Sequence, residues 1–193
     1  MIRNRLLSLV AVASLAACST QNADPSATDG ATGSTASVGA DLVADVVSVE
    51  KKLVDLAGAI PEDKLDWRPA EGVRSVREVL LHLAADNYLM PAMIGFTPDP
   101  ATGIVGSDYQ TSVAFENRAL AKDSVIAEVV KSFAFAKESL SSMTPARMGD
   151  AVTMFGQSFT GQSAWILAVT HLHEHLGQLI AYARTNGVVP PWS

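Results

Sequence analysis

A chain of 193 residues is long enough to bury one sizeable core and too short for two ordinary domains. Apolar residues make up 48% of it and charged residues 18%, a balance that excludes a disordered polymer. Acidic residues outnumber basic ones 20 to 14, and no Lys/Arg cluster stands out beyond the N-terminus, so no nucleic-acid partner is expected.

The first 17 residues read as an export signal: Arg3 and Arg5 form a positive start, and Leu6 to Ala16 is an apolar run too short to span a bilayer permanently. Leu15-Ala16-Ala17-Cys18 then resembles the lipobox of bacterial lipoproteins, which implies cleavage before Cys18 and lipidation of its thiol. Ser19 follows the cysteine, and by the same resemblance this favours the outer membrane, facing the periplasm. Removing residues 1–17 leaves 12 basic against 20 acidic residues, a net charge of −8. Such a body does not bind anionic lipid, so membrane attachment is expected through the acyl anchor alone. Cys18 is the only cysteine, so the mature domain has no disulfide, no catalytic thiol and no sulfur ligand for a metal.

Residues 18–38 are a Ser/Thr/Ala/Gly/Asp tract with almost no apolar bulk, expected to be a flexible tether. The folded domain is expected over 39–193. Its first helix spans about 40–59, with Leu42, Val43, Val46, Val47, Val49, Leu53, Val54 and Leu56 as a broad apolar stripe that stops before Pro61. A second helix opens on the capping box Ser75-Val76-Arg77-Glu78 and runs to about Met90, before Pro91. The third covers about 124–141, capped by Asp123 or Ser124 and stopped before Pro145. Ala151 to Phe159 reads as irregular or briefly extended. The fourth helix, about 161–185, ends at Asn186-Gly187 with Gly187 as the left-handed residue beyond it. Without a series of alternating strands, the pattern implies an all-α, up-down four-helix bundle. Trp67, Trp165 and Trp192 are expected in the core or anchoring the tail, and residues 188–193 form a strap, because Pro190-Pro191 cannot be helical.

All four histidines fall on two of these helices. His171 and His175 are about 40° apart, one turn above the other, whereas His173 points about 160° away from His171. Two imidazoles one turn apart can hold one ion, and His82 from a facing helix can complete a triad across the interior. Three imidazoles leave a coordination position open to water or substrate, the catalytic kind of site. Asp86, one turn after His82, can orient an imidazole, add a ligand or simply be solvated. Glu174, about 60° from His171, is a candidate general base or a surface residue. Gln178 and Tyr182 share the histidine stripe and line a pocket or pack within the bundle. His173 is expected on the surface or at a second interface.

The run Asp66-Trp67-Arg68-Pro69-Ala70-Glu71-Gly72-Val73-Arg74-Ser75-Val76, followed by His82-Leu83-Ala84, resembles the early part of DinB/YfiT-like metal-dependent proteins. His171-Leu172-His173-Glu174-His175-Leu176-Gly177-Gln178 resembles their last-helix motif, and the likeness covers about residues 40–187. It implies a four-helix bundle, often a homodimer, with one divalent ion (Zn, Ni, Fe, Mn or Co) on His82, His171 and His175. Members of that family include thiol-dependent S-transferases and isomerases. The function expected is a metal-dependent envelope lipoprotein enzyme, of hydrolase or transferase type, acting on a small molecule. The alternative is a non-catalytic metal- or ligand-binding lipoprotein or interaction module.

Overall fold

The computed structural model describes the backbone of residues 30–193 and the side chains of residues 38–193. The expected signal segment 1–17, the lipidation at Cys18 and the tether up to residue 29 lie outside the described residues.

Four long helices carry the core: α1 (Gly30–Ala59), α2 (Val76–Met93), α4 (Lys122–Ser141) and α6 (Gly161–Thr185). Two short ones, α3 (Tyr109–Glu116) and α5 (Pro145–Gly149), lie in the connections on either side of α4. A small antiparallel hairpin, β1 (Ala151–Met154) and β2 (Gln157–Thr160), leads into α6, with Ala151 opposite Thr160 and Met154 opposite Gln157. No helix of the described residues is long and apolar enough to cross a membrane.

Helix α2 is the axis of the molecule. Every residue from Val79 to Pro91 is buried, including His82, Asp86 and Asn87, because α3, α4 and α6 pack around it. A helix covered on all sides needs no polar face, so the polar groups it does carry need partners inside. Helix α1 lies against α4 and α6, burying Val46, Val49, Leu53 and Leu56. Val47, counted in its stripe, is 48% exposed: it sits one residue off the buried face.

The capping box at Ser75 forms as expected: Glu78 N–H donates to Ser75 Oγ at 3.3 Å, and Ser75 N–H donates to Glu78 Oε2 at 2.6 Å. α2 passes Pro91 and ends at Met93; a proline in the last turn costs one N–H donor there, and Ile94 N–H closes that turn on Met90 O and Pro91 O. α4 starts at Lys122 rather than at Asp123 or Ser124, because the Lys122 N–H donates to the Glu62 carboxylate at 3.3 Å. α1 begins at Gly30, so residues 30–38, expected within the tether, continue the helix. Once the packed part of a helix has formed, each further turn adds hydrogen bonds without a new nucleus.

The stretch expected to be irregular or briefly extended forms the β hairpin. Its two-residue turn, Phe155-Gly156, has φ of 51° and 75°, the mirror-image turn whose twist suits paired strands. α6 keeps the predicted bounds, with Thr160 Oγ1 accepting from Ser163 N–H and Gly187 at φ 75° just beyond it. A Cβ on Gly161 would lie 2.2 Å from the Arg147 carbonyl oxygen, so only glycine lets α6 start against α5. Trp165 is fully buried edge-on to Phe96, and Trp67 packs edge-on to Tyr182. Trp192 is exposed rather than an anchor; the tail is held by Val188 N–H on Ala183 O and by the buried Pro190.

Candidate metal centre

Helices α2 and α6 bring three imidazoles to one point inside the bundle. His82 stands near the middle of α2, and His171 and His175 face it from successive turns of α6. Ring centroids are 5.3 Å apart for His82 and His171, 4.7 Å for His82 and His175, and 4.4 Å for His171 and His175. One potential ligand atom from each lies within 4.8 Å of the other two. Local periodicity puts His171 and His175 on one stripe, while Leu172, Leu176 and Leu179, buried beside them, turn that stripe inward.

The partners of the ring nitrogens indicate which nitrogen faces the common point. His175 Nδ1 meets Gln178 Oε1 at 2.7 Å, and Gln178 Nε2–H donates in turn to Tyr182 Oη at 2.8 Å. That chain makes Nδ1 the donor of His175 and leaves its Nε2 lone pair free. Burial, reinforced by the neighbouring His171 and His82, pushes the His175 pKa down to about 4, so at neutral pH the ring is uncharged. The Nε2 atoms of His82 and His171 both turn toward Asp86 Oδ2, at 3.2 and 2.8 Å. His82 Nδ1 lies 3.1 Å from Glu116 Oε2, close but out of line for a straight hydrogen bond.

This donor set fits a divalent cation. It offers three imidazole nitrogens and a buried carboxylate beside them. Asp86 is therefore neither solvated nor remote: it is buried, Ser112 Oγ–H donates to its Oδ1 at 3.4 Å, and its Oδ2 faces the rings. Glu174 is 76% exposed and stands 3.9 Å from His171 Nδ1, the side of the ring away from Asp86. His173 points outward as expected and meets Asp45 of α1, with Nε2 at 3.0 and 3.1 Å from the two carboxylate oxygens. A small cavity of about 10 Å³, room for at most about one water molecule, borders the cluster and is lined by Asp86, Met90, Trp165 and His171 among others.

Glu116 escaped the sequence reading altogether. It lies on α3, buried, with the Arg74 guanidinium on it through both Nε and Nη2. Burial pushes its carboxyl upward, but His82 and Arg74 outweigh that and hold it below the usual glutamate range. Only one cue pointed there: Ser112 and Glu116 are one helical turn apart, as His82 and Asp86 are.

Comparison with known proteins bears on the family and the fold. The family model of the DinB superfamily matches residues 46–179. Among solved structures, a DinB-like protein of Bacillus subtilis superposes with a TM-score of 0.59 at 22% identity, over 76% of this chain and 92% of that one. A DinB-like protein of Bacillus cereus gives 0.61 at 15% identity, over 74% and 89%. At these identities the two structures establish a shared fold. No curated protein matches the chain.

Proposed function

The chain belongs to the DinB superfamily, and on that premise we propose that it binds one divalent metal ion through His82, His171 and His175 and works as a metal-dependent enzyme of hydrolase or transferase type. The observation that carries this reading is the convergence of three imidazoles from two helices to within 4.8 Å. An ion held there (Zn, Ni, Fe, Mn or Co) would supply Lewis acidity toward a carbonyl oxygen, a bound water or an anionic group of a small-molecule substrate. The protein groups do the rest. Gln178 fixes the tautomer of His175. Asp86, held through Oδ1 by Ser112, keeps Oδ2 toward the rings, where it can accept a proton from a bound substrate. Glu174, on the solvent side, is the weaker candidate for that role.

The same carboxylate supports a second reading. With Oδ2 against two Nε2 atoms, Asp86 can serve as a fourth protein donor and close the site, as in a non-catalytic metal-binding module. In both readings the protein is an envelope lipoprotein anchored by acylated Cys18, a placement supported by Leu15-Ala16-Ala17-Cys18. A homodimer is proposed on the resemblance alone.

Metal analysis of the purified protein, before and after reconstitution, tests the common claim. One ion per chain is expected, with His171→Ala reducing it to background; no stoichiometric ion after reconstitution refutes it. A screen of hydrolase and transferase substrates separates the two readings: turnover lost in His171→Ala supports the enzyme.

A further inference from the structure

We infer that Glu116, clamped by Arg74, is the positioning residue that decides which nitrogen of His82 faces the metal, and that α3 exists to deliver it. The inference rests on the three-histidine reading and adds to it an outer layer supplied by a connection outside the four long helices.

The His82 side chain is only 7% exposed, and its Nδ1 is buried with no well-aligned hydrogen-bond partner. A buried imidazole N–H without an acceptor is costly. Asp86 Oδ2 lies 3.2 Å from Nε2, on the side of the shared point, and Glu116 Oε2 is the acceptor beside Nδ1 at 3.1 Å, so with an ion at that point the His82 proton belongs on Nδ1. Its Nε2 lone pair is then left for the point shared with His171 and His175. A carboxylate behind the ring also makes the ligating nitrogen a stronger donor.

Glu116 is itself 11% exposed, and a buried carboxylate left without a partner is costly. Arg74 prevents this by gripping both oxygens, Nε on Oε1 and Nη2 on Oε2 at 3.1 Å. Helix α3 is in register with the site at a second point. Glu116 meets His82, and Ser112, one turn earlier, donates to Asp86, one turn after His82. Two helices facing each other through matched pairs at spacing four, one polar contact per turn, fix both the rotation and the slide of α3. A plain loop-tying ion pair accounts for Arg74 and Glu116 but leaves the buried Nδ1 and the Ser112 contact unexplained.

Zn(II) affinity of the purified protein, measured by competition with a chromophoric chelator, tests this. Glu116→Gln keeps the shape and an acceptor oxygen but loses the charge, and Glu116→Ala loses both. We expect the dissociation constant to rise on the order of 10–100-fold in Glu116→Gln, and at least as much in Glu116→Ala, with one ion per chain retained. Arg74→Gln, at a side chain 38% exposed and tolerant of change, is expected to weaken binding by a smaller factor. A purely structural role would lower the thermal midpoint of the metal-free protein and leave the affinity alone. Wild-type protein that binds Zn(II), with Glu116→Gln and Glu116→Ala within about threefold of it, overturns this inference only. Wild-type protein that binds no Zn(II) overturns both it and the three-histidine reading. If the Glu116 variants do not fold, Arg74→Gln decides, and an unaltered affinity there overturns the inference.

Discussion

Acid should weaken the metal-free fold through His175, and the size of the effect follows from its surroundings. In the folded protein, burial and two neighbouring imidazoles lower its pKa from 6.5 to about 4. As the pH falls below 6.5 the unfolded chain takes up a proton that the folded one refuses. Stability is therefore complete above that value and is lost progressively on the way down to about pH 4. The full shift is worth about 3 kcal/mol, and the part between pH 7 and pH 5 about 2 kcal/mol. His175 is only partly buried, so solvent takes up some of this, and about 1 kcal/mol is the expectation between pH 7 and pH 5. For a domain of this size that is a shift of about 2–4 °C in the thermal midpoint. The assay is urea unfolding at both pH values with chelator present, on wild type and on His175→Gln, which has no proton to take up. Glu116 titrates lower and contributes equally to both proteins. The variant should lose about 1 kcal/mol less than wild type over this range. Equal losses in the two proteins refute the assignment of a buried, neutral His175.

Three further outcomes follow from single contacts. Ser75→Ala removes the acceptor at the start of α2 and should cost about 1 kcal/mol in urea unfolding, so an unchanged midpoint contradicts the capping box. Gly161→Ala sets a methyl against the Arg147 carbonyl and should destabilise by about 2–3 kcal/mol. Wild-type stability in that variant would mean that α5 and α6 do not meet so closely. His173→Ala breaks an exposed pair with Asp45 and should shift stability by no more than about 0.5 kcal/mol while leaving one metal ion per chain; loss of the ion would place His173 in the site.

How much of the fold was legible depended on how local its causes are. α6 carries its whole specification within itself: Thr160 at its start, the apolar stripe, and Gly187 just beyond its end, so its bounds could be read directly. The start of α2 was readable for the same reason, since both partners of the capping box lie three residues apart. The start of α4 was not, because its cap is Glu62, sixty residues earlier in the chain. α3 gave no periodic signal: its buried residues are Ser112, Phe115 and Glu116, only one of them apolar. The hairpin turned on Phe155, a bulky residue at positive φ, which no turn propensity would nominate.

The site divides along the same line. Two of its imidazoles are one turn apart on a single helix, and the third lies on the helix opened by the Ser75 capping box, so the triad could be seen before the fold was known. What surrounds those rings comes from across the chain: Glu116 is 34 positions from His82 and 42 from Arg74. In a sequence, a carboxylate that will be buried and paired looks the same as one that will be solvated, and spacing alone cannot tell them apart. Burial is nevertheless predictable in kind. A central helix covered on every side must have polar partners for each imidazole nitrogen it buries, and those partners have to come from elements that close over it. The segment between α2 and α4, which shows little apolar periodicity, is where such partners belong: it needs a polar inner face, and a polar inner face erases the pattern by which a helix is recognised.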